Sequence, residues 1–272
     1  MWTISPEVEV FAKHAEQFLA TDPVANTVPL TVLANLRAGV SAEGAYFAWW
    51  SEDGKVSGAA FHTPPFPFCL GRAPMESVGP LAAALRRLGT SIPEVSGPAE
   101  LVEVFVEEWG EGVRDVTPER LYALGALLEP EVPGSGRVAT GEDFPLLVAW
   151  FQAFGEEVGM HLGNDLPGVV QRRIERGDVR LWTVDGVPVS MAAVSPAIAG
   201  MCRIGPVYTP HSHRRQGYGA AVTADISATA MAERAERVVL FTDLDNPTSN
   251  AIYQSIGYRP VADYAHIVFE AR

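Results

Sequence analysis

Cysteine is nearly absent from this chain. Cys69 and Cys202 are the only two among 272 residues, too few for a disulfide scaffold or a multi-cysteine zinc site. With nothing pointing to secretion, a reducing cytoplasm is the expected compartment. Basic residues are also scarce: 20 Lys and Arg stand against 33 Asp and Glu, a formal net charge of −13. Such a chain is repelled by nucleic-acid phosphates and anionic lipid, so neither nucleic acid nor a membrane is an expected partner. No apolar run reaches the roughly 18–20 residues of a spanning helix. The uncharged stretches 56–71 and 187–202 contain proline and glycine and read as buried strand. The first ten residues hold two acids, no base and no apolar core, so no signal peptide is expected there.

What is present is ample apolar material for a core, 47% of the chain, and an internal repeat. Trp50, Asp53 and Gly54 match Trp182, Asp185 and Gly186 at an offset of 132. Val56, Ser57, Ala59 and Ala60 match Val189, Ser190, Ala192 and Ala193 at 133, one inserted residue later. Both segments read as strand, Asp-Gly turn, strand. Between them, residues 129–136 hold two prolines and two glycines and no periodic apolar face, a linker. The expected domains are therefore 1–128 and 137–272. The acidity is uneven: residues 1–136 carry eight basic and 18 acidic side chains, residues 137–272 carry 12 and 15.

In the second half the spacing predicts a short strand at 137–140, helices at 142–157 and 167–176, and a hairpin of 179–184 with 187–194. A strand at 201–208, a helix at 217–236, a strand at 237–242, a helix at 247–255 and final strands over 258–269 follow. Asn246 can cap the 247–255 helix, and Pro247 suits its first position. The order describes an α/β (α+β) fold with a mixed, mostly antiparallel sheet flanked by helices.

Residues 207–220 carry specific chemistry. A strand ends, Arg214 and Arg215 follow, and Gly217 and Gly219 open a helix. The first helical N–H groups lack partners and carry about half a positive charge. Two glycines let an anion approach the main chain, so the segment is a phosphate cradle. A Walker loop needs Gly-Lys-Ser/Thr, which is missing. A dinucleotide fingerprint needs a third small residue where Val222 stands. The alternative is a plain helix start with a solvated arginine pair.

The motif Arg214-x-x-Gly217-x-Gly219 resembles the acyl-CoA pyrophosphate loop of the GNAT superfamily of acetyl-CoA-dependent N-acetyltransferases. Asn246, Tyr253, Gly257 and Tyr258 resemble its second conserved block, Asn-x₆-Tyr-x₃-Gly-Phe/Tyr. The resemblance implies two tandem GNAT-like domains, the first degenerate, with acetyl-CoA as co-substrate and no metal. It implies that the main chain of Val207 and Tyr208 lies along the pantetheine arm. Backbone amides of Arg215, Gln216, Gly217, Tyr218, Gly219 and Ala220 would hold the pyrophosphate, with the Arg214 side chain nearby. Asn246 would bond the pantetheine region, and Tyr253 would donate a proton to the leaving thiolate.

The strand 202–208 lacks the acid that many members use as general base. Candidates are Glu156, Glu157, His161, Asp243 and Asp245, each otherwise a surface charge. His211 and His213 lack further ligands nearby for a metal. Cys202 lacks a basic partner and reads as strand core. The first half lacks the glycine motif, and Glu76 falls where phosphate needs positive charge. Its aromatic, proline-rich stretch 61–68 either lines an acceptor cleft or packs as core. The expected acceptor is a small-molecule or peptide amine, and the expected state is a monomer, with a dimer as the alternative. Two rival readings remain: an acyl-CoA-binding protein without turnover, and an interaction scaffold.

Overall fold

The computed structural model describes residues 1–41, 43–159, 163 and 165–271. Among these, ten elements occur in one order and then again. The first series is β1 (Trp2–Ser5), α1 (Val8–Leu19), α2 (Thr27–Arg37), β2 (Tyr46–Glu52), β3 (Lys55–His62), β4 (Phe68–Leu70), α3 (Val78–Arg87), β5 (Glu94–Pro98), α4 (Ala99–Trp109) and β6 (Val113–Leu124). The second is β7 (Ser135–Val138), α5 (Phe144–Val158), α6 (Leu166–Glu175), β8 (Val179–Val184), β9 (Val187–Val194), β10 (Met201–Tyr208), α7 (Tyr218–Glu233), β11 (Arg237–Asp243), α8 (Pro247–Ser255) and β12 (Tyr258–Phe269). A 3-10 turn precedes both α3 and α7, at Met75–Ser77 and His211–His213, whereas Gly141–Asp143 before α5 has no counterpart before α1 among the described residues.

The two hairpins show the duplication in register. Both turn on an Asp-Gly pair with positive φ, 49° and 77° at Asp53 and Gly54, 50° and 79° at Asp185 and Gly186, as this tight turn requires. Both break register just after the matched tryptophan, between Trp50 and Ser51 and between Trp182 and Thr183. Trp50 faces Gly58 and Trp182 faces Ser190. The offset is therefore 132 throughout, and the inserted residue expected from the sequence is absent. A slip of one residue would turn the buried face of β9 outward.

By contacts the chain divides into two units that do not meet at 129–136. One is Met1–Leu121 with Thr242–Asp245 and Val261–Arg272; the other is Tyr122–Phe241 with Asn246–Pro260. The cut at 128 and the contiguous second domain are corrected by hydrogen bonding. The end of β12 completes the first unit, pairing Tyr264 to Val268 against Pro98 to Glu94 of β5. The segment after Leu121 belongs to the second unit, where the amides of Gly125 and Leu128 donate to Gly257 and Ile256. Ser135 and Gly136, read as linker, pair with Thr183 and Trp182 in β7.

In the first unit, Val78, Leu81, Leu85, Phe105 and Trp109 of α3 and α4 pack on Phe68, Val95, Ile267 and Phe269. Phe61 and Phe68 are buried and stack on Phe47 and Phe105. Of the stretch 61–68 only Phe66 stands out as an exposed large hydrophobic, so these aromatics are chiefly core. In the second unit β7, β8, β9, β10 and β11 lie in that order. Alternate residues of β9 face opposite layers, Met191 and Ala193 towards α5 and α6, Ala192 and Val194 towards α7. Antiparallel pairs join β7 to β10, and β10 runs parallel to β11 with α7 as the crossover.

Candidate functional site

The cofactor-binding residues and Tyr253 read from the sequence all fall in the second unit. Pairing of β10 with β11 runs from Met201↔Arg237 to Ile204↔Leu240 and stops, while β10 continues to Tyr208. At the same place β10 bulges, since Ile204 faces Val194 but Val207 faces Ala192. The main chain of Gly205 to Tyr208 thus leaves β11 and presents an open strand edge. On the other edge Ser190 Oγ donates to the Tyr208 carbonyl at 3.0 Å and meets Thr209 Oγ1 at 2.8 Å, which holds the strand end in place.

The chain then makes the turn His211–His213 and reaches the start of α7. Arg215 has φ 62° and Gly217 has φ 82°. For an arginine that conformation costs about 1–2 kcal/mol, a strain typical of functional loops. At Gly217 a Cβ would also meet Val132 Cγ2 at 2.8 Å. Gly219 differs: an added Cβ would meet only Thr209 Oγ1, at 3.4 Å. Internal packing therefore demands glycine at 217 and not at 219. The first bond into α7 is from Ala221 N–H to the Gly217 carbonyl, 3.0 Å. Among the described residues none accepts from the amides of Arg215, Gln216, Gly217, Tyr218, Gly219 or Ala220. Gln216 Oε1 accepts from the Tyr218 hydroxyl at 3.0 Å, and the Tyr218 ring is buried. Unpaired amides at the positive end of a 16-residue helix fit a pyrophosphate.

Arg214 is engaged. Its Nε donates to the Thr209 carbonyl at 2.9 Å and its Nη2 to Glu157 Oε2 at 2.5 Å. It therefore ties the end of α5 to the cradle. Asn246 caps α8, its Oδ1 accepting from Ser249 N–H at 3.0 Å; only its Nδ2 is left for a ligand. Tyr253 is half-buried on α8 with its ring 6.2 Å from that of Tyr258. Tyr253 and Val207 pack against the same core cluster. Burial pushes the Tyr253 phenol up to about 12.

The candidate bases fare poorly. Glu157 is paired to Arg214, and exposed Glu156 accepts from Gln152 Nε2 at 2.9 Å. Asp243 accepts from the Asp245 amide and, with Asp245, belongs to the first unit. His161 lies outside the described residues. Cys202 is fully buried, which pushes its thiol up and away from the reactive thiolate. No group of three His, Cys, Asp or Glu among the described residues is arranged to hold a metal.

Tyr122 was not legible as a site residue. It lies fully buried, donates to Asn250 Oδ1 at 2.9 Å and accepts from Gln254 Nε2 at 3.0 Å, which fixes α8 from below. Its alternating position in a strand was visible, but its partners on α8 were not. Glu119 was missed as well; burial raises its carboxyl, which His266 partly offsets.

Among the described residues the first unit lacks the glycine cradle. β4 ends at Leu70, but the chain follows β3 further, the Gly71 amide donating to the Ala59 carbonyl at 2.9 Å and the Ala59 amide to the Arg72 carbonyl at 3.1 Å, while β5 pairs with Phe68 and Cys69. Ahead of α3, Ser77 Oγ donates to the Pro74 carbonyl at 2.7 Å and the Ser77 carbonyl accepts from Trp2 Nε1 at 2.7 Å.

Comparison with known proteins agrees with this geometry. Residues 186–267 match the sequence model of the family described as FR47-like protein. A GCN5-related N-acetyltransferase from Sphaerobacter thermophilus has a similar structure, with a TM-score of 0.67 at 16% identity over 100% of this chain and 97% of its own. A GCN5-related N-acetyltransferase from Kribbella flavida is 25% identical, with a TM-score of 0.58 over 92% and 96%. A tandem GNAT protein from the clavulanic acid biosynthesis pathway aligns over 100% of both chains, with a TM-score of 0.56 at 12% identity. No curated protein matches the sequence. The fold is a tandem GNAT fold, built of mixed, mostly antiparallel sheet flanked by helices. Residues 186–267 carry the FR47-like sequence pattern, and the fold of the chain is that of these GNAT structures.

Proposed function

We propose that this protein is an acetyl-CoA-dependent N-acetyltransferase, working by direct attack of an amine in a ternary complex. The observation that carries the reading is the run of unpartnered amides at the start of α7 beside the open edge of β10. Amides from Arg215 to Ala220 hold the pyrophosphate, and the β10 edge takes the pantetheine arm as an added strand. Bound acetyl-CoA supplies an acetyl thioester. The amine nitrogen bonds to the carbonyl carbon, the carbon–sulfur bond breaks, and the proton lost by nitrogen ends on the thiolate.

Tyr253 acts in that step as a hydrogen-bond donor to sulfur. A phenol near 12 stays protonated at neutral pH, whereas a thiol titrates near 8.5. Complete transfer from phenol to thiolate would run uphill. The proton is therefore supplied by the amine, directly or through solvent, and Tyr253 stabilises the charge while it moves. An amine that arrives neutral needs no strong base, which suits the poor set of candidates. The acceptor is a small-molecule or peptide amine, the protein acts as a monomer, and the compartment is the cytoplasm.

Calorimetry with CoA tests the reading, with binding expected for the wild type and lost in Gly219→Trp. Absence of CoA binding in the wild type would sink it. A binding protein without turnover is the second reading, favoured by the lack of an acid on β10. CoA binding without acetyl transfer to any amine of a broad panel would select it.

A further inference from the structure

The helix α6 carries Arg172 and Arg173, and Arg176 caps its end; two of these three have a carboxylate. Arg172 pairs with Asp165 at 3.3 Å, and Arg176 with Asp178 at 2.6 Å. Arg173 lies between them with no ion pair among the described residues. Its Nη1 donates to the Gly205 carbonyl at 3.2 Å, and its guanidinium carbon sits 5.6 Å from the centre of the Phe151 ring. Asp178 is the one nearby charge that favours the cation, but its two oxygens already accept from Arg176 and from Arg234 at 2.5 Å. Arg203 and Arg176 repel it, and burial lowers its pKa to about 10. The carbonyls ending α6 offer only a partial negative charge. A cation held this way, half-buried and short of an anion, costs free energy that a bound anion would recover.

Its position gives that anion a place. Gly205 stands in the bulge of β10 where β11 departs. On β10, Cys202 and Ile204 face the α7 core, and Arg203 and Gly205 alternate towards α5 and α6. The α7 layer is filled with side chains, so an acceptor reaches the bulge from the α5–α6 side, where Arg173 sits. Stacked on Phe151 and spending one of five N–H donors on Gly205, the guanidinium keeps a fork for a bidentate anion.

We propose that Arg173 is the acceptor-specificity residue and binds a carboxylate, so that the acceptor is a small amino acid. This rests on the acetyltransferase reading and narrows it: amine and carboxylate lie a few bonds apart, one at the bulge and the other on Arg173. Cationic acceptors such as polyamines are disfavoured by Arg173 together with Arg203 and Arg176.

The test compares glycine with glycinamide and β-alanine with β-alaninamide in the full-length protein, by CoA release at saturating acetyl-CoA. The amides carry the less basic and therefore more neutral amine, so any preference for the acids reports carboxylate recognition. The acids are expected to win in kcat/KM by at least about tenfold, the low end for a charged hydrogen bond. Arg173→Met costs the acids at least about tenfold more than the amides, so the preference disappears; Arg173→Lys, which keeps the charge and stem, retains part of it. Equal use of acid and amide by the wild type, or an equal loss on both in Arg173→Met, overturns the proposal. Calorimetry with N-acetylglycine and N-acetylglycinamide, with and without CoA, reads the site apart from turnover. Binding of the acid alone, lost in Arg173→Met, supports the carboxylate site even where no amine is acetylated. No binding of the acid by the wild type in either condition overturns it. Failure to bind CoA strikes the acetyltransferase reading instead.

Discussion

Glu108 of α4 holds its carboxylate over Gly79 in the first turn of α3: a Cβ added at Gly79 would lie 3.4 Å from Glu108 Oε1. This is the helix that corresponds to α7, and an acid of the chain's own lies beside its first turn. Loss of the glycine motif and the presence of Glu76 led the sequence reading to the same conclusion by another residue. Glu108→Ala is expected to cost about 0.3–1 kcal/mol of stability by urea unfolding. CoA stoichiometry should stay at one per chain, because the first unit lacks the paired glycines that open α7. A second CoA bound by this variant would show that the acid alone closes the first unit.

Under the proposed function, Glu157 would compete with pyrophosphate for Arg214, to which it is now paired. Freeing the guanidinium by Glu157→Gln should tighten CoA binding by about tenfold, the scale of one charge-assisted hydrogen bond. Arg214→Met should weaken it in both backgrounds. Calorimetry at two salt concentrations checks this, with the gain from Glu157→Gln shrinking at high salt. An unchanged affinity in Glu157→Gln would mean that Arg214 never leaves α5.

The two glycines of the cradle separate stability from affinity. Gly217→Ala places a side chain at φ 82° and against Val132, and should destabilise the protein by about 1–2 kcal/mol or more. Gly219→Ala meets no such obstacle and should melt within about 0.5 kcal/mol of wild type, yet lose CoA affinity several-fold. Thermal melts and calorimetry on the pair distinguish the two roles.

Tyr253→Phe should lower kcat by about 10²-fold, the lower range for removing one donor from a developing anion. Because burial raises the phenol to about 12, Tyr253 does not ionise below about pH 11. The pH–rate profiles of wild type and variant should therefore have one shape and differ in height. A basic limb present only in the wild type would show that the hydroxyl titrates during turnover.

Local pattern carried much of this structure. The bounds of β8, β9, β10, α8 and β12 were legible because alternating apolar runs end at Asp-Gly turns and Asn246-Pro247 announces a helix. The cradle was legible because it is made of backbone, and backbone reach is written in glycine spacing. Pairings between distant segments were not. Residues 264–268 fall within the expected final strands, but nothing in them names 94–98 as the neighbour. Glu157 and Arg173 read as surface charges because their partners, Arg214 and Gly205, depend on how α5 and α6 settle on β10.

The crossing of β12 into the first unit sets an order of assembly during synthesis. Its Ala265, Ile267 and Phe269 fill the core beneath α3 and α4, so residues 1–121 leave the ribosome with that core unroofed. The segment 122–128 meanwhile waits for Gly257 and Ile256 before it is paired. Neither half can finish until nearly the whole chain is made. The nascent protein must shelter an unpaired strand edge for most of its translation, a clear substrate for chaperones.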